Sequence, residues 1–260
     1  MTIILGKKTA RVNVLQKAIF TSDMHISDNE YYKIDHLHHL VDMHQPDALY
    51  LLGDIFDAWI GWDDHPDLTS YIDESFNDLS KKTHIYFMTG NRDRLLKEKD
   101  AQILHATYLP DPYVITLQNT RYLLTHGDKL CTADHTFQRM IRLQESKTVS
   151  KILKNLPLSA RRAIRDLFFA HSTNHKKKLS NDIKDLSPTA ITAALNDHQC
   201  QHIIHGHNHR GAITTEPYHR YNMGSWDNHQ CMYLLLAGDC QLVTYPMQEL
   251  GSEIHLSSLD

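Results

Sequence analysis

The chain has 260 residues, of which 41% are apolar and 22% charged, with a net charge of −4. That balance excludes a disordered or collagen-like chain, and no apolar run approaches the ~20 residues that a membrane-spanning helix needs. What remains is a globular chain with one sizeable core, with or without an inserted subdomain.

Residues 1–17 read as an N-terminal extension, with strand character at 3–5 and 12–15. Its apolar stretch Ile3-Ile4-Leu5 is too short for a secretory leader, so a cytoplasmic location is expected. From Ala18 a pattern sets in: an apolar strand, then a polar loop rich in Asp, His, Asn and Gly. Strands are predicted over 18–20, 48–52, 85–88, 122–124 and 202–204, and helices over 32–44 and 67–80. Such short, nearly continuous apolar runs suit strands buried on both faces. The alternation predicts an α/β sandwich. Ligands of open α/β sheets gather beyond the carboxyl ends of the strands, so five loops at one edge predict a single site.

Residues 131–185 break the pattern and are predicted to form a helical insertion within a single domain spanning 1–260. Phe137, Met140 and Ile141 follow helical spacing, as do Ile152, Leu153 and Leu156, and then Ala160, Ala163, Ile164, Leu167 and Phe168. Pro157 separates two of these helices. Between positions 139 and 178, eleven Lys and Arg face two acidic residues, an excess set against the net negative charge of the whole chain. This asymmetry points to an anionic partner. The stretch lacks the interleaved aromatic platform of a single-strand binder, so nucleic acid is not expected. Ser187-Pro188 reads as an N-cap with proline at the first helical position, opening a helix to about 196. Strands at 233–236 and 242–245 are expected to close the second sheet. Cys131, Cys200, Cys231 and Cys240 have no metal-binding or disulfide spacing and are read as reduced and mostly buried.

Five motifs carry chemistry. Asp23-Met24-His25 follows the first strand, and alternation along an extended chain would put its carboxylate and imidazole on one side. Gly53-Asp54 offers a carboxylate with two oxygens on a tight turn. Gly90-Asn91-Arg92-Asp93 offers a neutral amide oxygen, His126-Gly127-Asp128 an imidazole, and Gly206-His207-Asn208-His209 two imidazoles, again expected from one extended segment. Each motif is weak by itself; the weight lies in five of them in order, each after an apolar strand.

Together they resemble the signature of the calcineurin-like metallophosphoesterases, D-x-H, G-D, G-N-H/R-D, H and G-H-x-H. That resemblance implies two mixed sheets flanked by helices and two divalent cations. One cation would take Asp23, His25, Asp54 and His209, the other Asp54, Asn91, His126 and His207. Mixed oxygen and nitrogen donors suit Mn²⁺, Fe²⁺ or Zn²⁺ better than Ca²⁺. His205 is read as a supporting residue. Arg92 stands where many members carry histidine. It cannot give up a proton at physiological pH, but it can hold phosphate with two donors, which favours a diphosphate whose leaving group needs little protonation. Asn91 and Arg92 are therefore the expected catalytic residues, with Asp93 orienting Arg92.

A closer similarity covers about residues 18–246. It rests on ALYLLGDIFDAWIG at 48–61, Asp63-Asp64, Leu95-Leu96, Leu130-Cys131-Thr132, Leu156-Pro157-Leu158, Ala170-His171-Ser172 and Gly224-Ser225-Trp226. These are similar to the UDP-2,3-diacylglucosamine pyrophosphatase family of lipid A biosynthesis. The similarity implies hydrolysis of the nucleotide-linked lipid to UMP and a lipid monophosphate, two Mn²⁺, and action at the inner membrane surface. Implied substrate contacts are Asn91, Arg92, Asp134, Ser172 and His207. Lys176 and Leu179 depart from the family pattern, Asn and Lys being expected there, and Lys178 is placed to take over alongside Lys176. Ile164, Leu167, Phe168 and Phe169 are expected to line an acyl groove, and the basic residues to meet anionic lipid. The alternative is a metallophosphoesterase of other specificity, a phosphodiesterase or nucleotide hydrolase. A non-catalytic lipid-binding relative is disfavoured because all seven ligands are present.

Overall fold

The structure, a computed structural model, describes residues 16–178, 183 and 185–247, except for the side chains of 147 and 169–178. The expectations for the extension up to residue 15, and for the side chains of Phe169, Ser172, Lys176, Lys178 and Leu179, lie outside that range.

The first half alternates strand and helix: β1 (Lys17–Thr21), α1 (Tyr32–His44), β2 (Ala48–Leu52), α2 (Pro66–Ser80) and β3 (His84–Met88). Then come β4 (Thr107–Tyr108), β5 (Tyr113–Leu117) and β6 (Thr120–Leu124). Three consecutive helices follow, α3 (His135–Glu145), α4 (Lys147–Asn155) and α5 (Leu158–Lys178), with Pro157 between the last two. The chain continues through α6 (Pro188–Asp197), β7 (His202–His205), β8 (Ala212–Thr214), β9 (His219–Asn222), β10 (Gln230–Ala237) and β11 (Asp239–Pro246).

Two sheets result, one in the order β11-β10-β1-β2-β3-β4 and the other β5-β6-β7-β9-β8. The apolar runs of β1 to β3 are explained by burial on both faces. Ile19, Leu49, Leu51, Ile85 and Phe87 pack with Leu37, Leu40, Ile72 and Phe76 of α1 and α2. On the other face, Phe20, Tyr50, Leu52 and Met88 meet Leu117, Tyr122, Leu124 and Ile204 of the second sheet. Leu123 and Ile203 turn outward against Ile191 and Leu195 of α6. The layers thus run helix, sheet, sheet, helix. Truncating a ring such as Phe76, fully buried at this packing, costs about 3–5 kcal/mol.

One strand expectation is corrected. The β10–β11 pair does not close the second sheet; β10 pairs antiparallel with β1, Lys17 opposite Ala237 and Phe20 opposite Leu234. Its residues alternate between Cys231 and Tyr233 in one core and Leu234 and Leu236 in the other, which suits an interior strand. At the start of α6, Pro188 takes the first turn as expected, but the Ser187 hydroxyl meets Thr189 Oγ1 at 2.8 Å instead of capping the backbone. Cys131, Cys200 and Cys231 are buried, Cys240 half-buried, and all four are free thiols.

β1, β2 and β3 run parallel, as do β6 and β7. Their carboxyl ends carry all five motifs.

Candidate metal centre

Each motif begins within a few residues of a strand end, and the backbone there is unusual. Asp23 (φ 52°), His25 (φ 48°), Asp54 (φ 53°), His207 (φ 72°) and His209 (φ 57°) all occupy the left-handed region. Few non-glycine residues adopt it, and clusters of such residues mark functional sites. The expectation of extended D-x-H and H-x-H segments is therefore overturned: the side chains converge because the chain coils tightly, not because it alternates. Backbone bonds hold the coils together, Asp23 N–H to Gly53 O at 3.0 Å and His25 N–H to Asp54 O at 3.0 Å. Gly53 (φ 91°) permits the approach, since a Cβ there would lie 2.6 Å from Gly90 N and 2.7 Å from His126 Nδ1.

Two sets of donor atoms result, each within 4.8 Å: Asp23, His25 and His209, and Asp23, Asp54 and His126. His209 Nε2 lies 3.3 Å from Asp23 Oδ1, and His25 Nε2 lies 3.4 Å from His209 Nε2. His126 Nε2 is 3.6 Å from Asp54 Oδ2 and 3.3 Å from Asn91 Oδ1. The His207 ring, centred 5.2 Å from that of His126, lines the same space. All seven expected ligands lie at this one edge, but Asp23, not Asp54 as expected, is the carboxylate common to both sets of donor atoms.

The site fits divalent cations on its own geometry. Asp23 is fully buried, yet its Oδ1 has no hydrogen-bond partner among the described residues. Asp54 is 2% exposed, so two carboxylates are buried side by side. Burying such charge without compensation is costly, and hard oxygen and imidazole donors are what a first-row cation takes. Burial alone would raise the Asp23 carboxyl, but the imidazole of His209, 3.3 Å from it, and those of His126 and His25 hold it far below the usual carboxylate range.

Supporting groups fix several of the donors. His126 Nδ1–H donates to Leu52 O at 3.0 Å, which turns Nε2 toward the cluster. Ser22 Oγ donates to Asp23 Oδ2 at 2.5 Å, and His207 N–H donates to the same oxygen at 2.9 Å. Trp226 N–H donates to Asp23 O at 3.1 Å. Lys33, buried on α1, donates to Met24 O at 2.8 Å. His205, fully buried, accepts from Arg220 Nε at 2.8 Å; burial and Arg220 lower its pKa to about 4, keeping it neutral beneath the fifth motif. Trp226 escaped sequence reasoning as a support because Asp23 lies about two hundred positions away, whereas Ser22, Lys33 and Arg220 escaped it because they belong to no motif with recognisable spacing.

Asp93 does not serve the role expected of it. Its carboxylate accepts from Gly90 N–H at 2.6 Å and Ile55 N–H at 2.9 Å, clamping two motif loops together. Burial and the Asp54 charge push that carboxyl up to about 7. The guanidinium of Arg92 lies instead against Asp57, Nη1 to Oδ1 at 3.4 Å. Asp134 caps α3, accepting from Phe137 N–H at 2.9 Å, and the Phe137 ring stacks over His207 at 5.5 Å.

Beside Asn91 and Arg92 opens a cavity of about 270 Å³, lined largely by Trp59, Leu95, Phe137, Met140, Leu153, Ile164 and Phe168. Ile164 and Phe168 stand where an acyl groove was expected. Leu167 does not; it is 71% exposed. Several insertion cations are engaged with the core: Arg161 with Asp63, Arg162 and Arg165 with Asp64, and Lys154 with Asp100.

Residues 17–211 match the family model described as Calcineurin-like phosphoesterase. A Coxiella burnetii (strain RSA 331 / Henzerling II) protein named UDP-2,3-diacylglucosamine hydrolase is 36% identical over 82% of this chain and 90% of its own length. Proteins of the same name from Aeromonas salmonicida (strain A449) and Shewanella frigidimarina (strain NCIMB 400) are 38% and 32% identical, covering 80% and 90% of this chain and 85% and 99% of their own. With the five motifs gathered at one sheet edge and this match across most of its length, the chain belongs to the calcineurin-like phosphoesterase family.

Proposed function

We propose that this chain hydrolyses UDP-2,3-diacylglucosamine to UMP and 2,3-diacylglucosamine 1-phosphate, a step of lipid A biosynthesis, using two Mn²⁺ ions. Asp23, His25, Asp54, Asn91, His126, His207 and His209 would hold them. The observation that carries the reading is the apolar cavity that opens directly at Asn91 and Arg92, where a diphosphate joined to an acylated sugar needs both surfaces at once. Relatives that span nearly the whole chain bear the corresponding name.

When bound, the cations would polarise the phosphoryl oxygens and lower the pKa of the attacking water. The protein's own groups do the rest. Arg92 grips the diphosphate and balances the charge that develops on it, while Asp57 keeps the guanidinium in place. The bond broken joins the nucleoside phosphorus to the bridging oxygen. Oxygen from water ends on UMP, and the bridging oxygen departs with the lipid phosphate, which needs little protonation. Ile164, Phe168 and their neighbours exclude water and hold acyl chain. Asp134, Ser172, Lys176 and Lys178 complete the substrate contacts in this reading, Asp134 by fixing α3.

We place the protein in the cytoplasm, peripheral on the inner membrane. Among the described residues no helix is long and apolar enough to cross a membrane. Leu143, Ile152 and Leu167 of the insertion are exposed, and exposed Arg139, Arg142 and Lys151 share its helices. Apolar and cationic groups together favour an anionic lipid surface.

The test is purified protein with Mn²⁺ offered UDP-2,3-diacylglucosamine, UDP-glucosamine and bis-p-nitrophenyl phosphate. Preferred turnover of the acylated compound supports the proposal. Hydrolysis of the diester with no response to acylation would replace it with a phosphodiesterase of other specificity.

A further inference from the structure

Resting on the substrate reading above, we propose that a second cavity, on the other side of the Trp59 loop, is the nucleoside subsite, with Asp28 and Asp57 accepting from the ribose hydroxyls. A diphosphate with an acylated sugar at one end and a nucleoside at the other needs two exits from the metal cluster. The apolar cavity is one. The other, about 300 Å³, shares Ala58, Trp59, Ile60 and Arg165 with it and is completed by Phe56, Ser27, Asp28, Asp57 and Thr69 among others. Asp57 marks where this space meets the reaction centre: its Oδ1 lies 3.7 Å from His25 Nδ1 and 3.4 Å from Arg92 Nη1.

The walls select the occupant. The Asp28 and Asp57 side chains are 50% and 43% exposed, so although Oδ1 of each already faces His65 or Arg92, both carboxylates remain accessible to a ligand. Ionised carboxylates only accept hydrogen bonds, so whatever enters must bring donors and no negative charge. That repels phosphate and gives an acyl chain nothing. The remaining charged groups are mutually engaged. Asp64 is held by Arg162 Nε at 2.7 Å and Arg165 Nη1 at 3.1 Å, Arg165 Nε also reaches Asp166 at 3.0 Å, and His65 bridges Asp28 at 3.1 Å and Asp64 at 3.2 Å. A ribose offers neutral vicinal hydroxyls, and a pyrimidine offers a flat face to the indole of Trp59. Trp59 N–H donates to Arg92 O at 3.0 Å, so this wall is fixed to the loop that grips the diphosphate.

The experiment uses the full chain with Mn²⁺ and reads inhibition of bis-p-nitrophenyl phosphate hydrolysis by UMP, 2′-deoxy-UMP and inorganic phosphate. In the wild type, 2′-deoxy-UMP is expected to inhibit several-fold more weakly than UMP. In Asp28→Asn, the UMP inhibition constant is expected to rise about tenfold and that of inorganic phosphate less than twofold, the loss of one hydrogen bond to a charged acceptor. Equal inhibition by the two nucleotides, or a UMP constant indifferent to Asp28→Asn, overturns the subsite. Turnover of UDP-2,3-diacylglucosamine is measured alongside. Its absence with Asp28-dependent UMP inhibition would remove the lipid substrate and leave the nucleoside subsite standing; its presence without that dependence does the reverse.

Discussion

Arg161 on α5 grips Asp63 with both terminal nitrogens, Nη1 reaching Oδ1 at 2.8 Å, and the same Nη1 donates to Ile60 O at 2.8 Å. This fork fastens the helical insertion to the loop that separates the two cavities. Removing one charge with Asp63→Asn should loosen α5 and leave the metal cluster intact. We expect KM for UDP-2,3-diacylglucosamine to rise about three- to tenfold, with a smaller change in kcat, and added salt to weaken the wild type in the same direction. Steady-state kinetics at two ionic strengths decide it; a variant whose KM stays at the wild-type value rules the clasp out.

Asp54 and Arg92 should separate metal binding from chemistry. Asp54→Ala removes a carboxylate from the cluster that includes Asp23 and His126, so activity and bound Mn²⁺ should fall together. Arg92→Ala should keep its metal and lose about a hundredfold or more in kcat, the scale of one lost transition-state donor. Metal analysis beside the activity assay distinguishes the two, and near-normal turnover of Arg92→Ala refutes its assignment.

Trp226 Nε1–H donates to Thr21 Oγ1 at 2.7 Å and Met232 O at 3.1 Å, behind the loop that carries Asp23. Trp226→Phe retains most of the ring and loses the donor. We expect a loss of about 1–3 kcal/mol in stability and about tenfold in Mn²⁺ affinity. Denaturation and metal titration measure the two effects; unchanged metal affinity would confine Trp226 to the core.

Glu145, at the end of α3, accepts from Lys129 Nζ at 2.8 Å and Arg94 Nη1 at 3.0 Å. Partial burial pushes its pKa up, but the Lys129 hydrogen bond and the charges of Lys129, Arg94 and Lys97 outweigh this and hold it below the ordinary 4.5. A carboxyl depressed in the folded state contributes stability that is complete above its unfolded pKa and is lost as pH falls through the folded value. The Tm gap between wild type and Glu145→Gln should therefore be full near neutrality and close progressively below about pH 4.5. A gap independent of pH contradicts the assignment.

Chelation should destabilise the fold. With Asp23 and Asp54 buried, a cation that binds only the native state adds about 2.7 kcal/mol at a hundred times its Kd, or roughly 5–10 °C in Tm for a chain this long. Scanning calorimetry with and without chelator tests this. Asp54→Ala should show a much smaller shift; an equal one would place the metal effect elsewhere.

The motif side chains that meet at this sheet edge were legible in the chain itself because each follows an apolar strand. β2 is buried at all five positions, and Gly53-Asp54 comes directly after it. Parallel strands place their loops at one edge, so the order of strand and motif was enough to predict one site. How those loops converge was not legible. Asp23 and His25 are held in left-handed backbone by bonds to Gly53 and Asp54, about thirty residues on. No local propensity announces such a conformation. Asp93 illustrates the same limit: adjacency suggested Arg92 as its partner, whereas the fold gave it the backbone of Gly90 and Ile55. The partition of space around the Trp59 loop into an apolar and an acidic cavity was likewise decided only in three dimensions. α5, Asp28 and Asp57 lie far apart along the chain, and a cavity's chemistry is the sum of side chains that sequence order does not bring together.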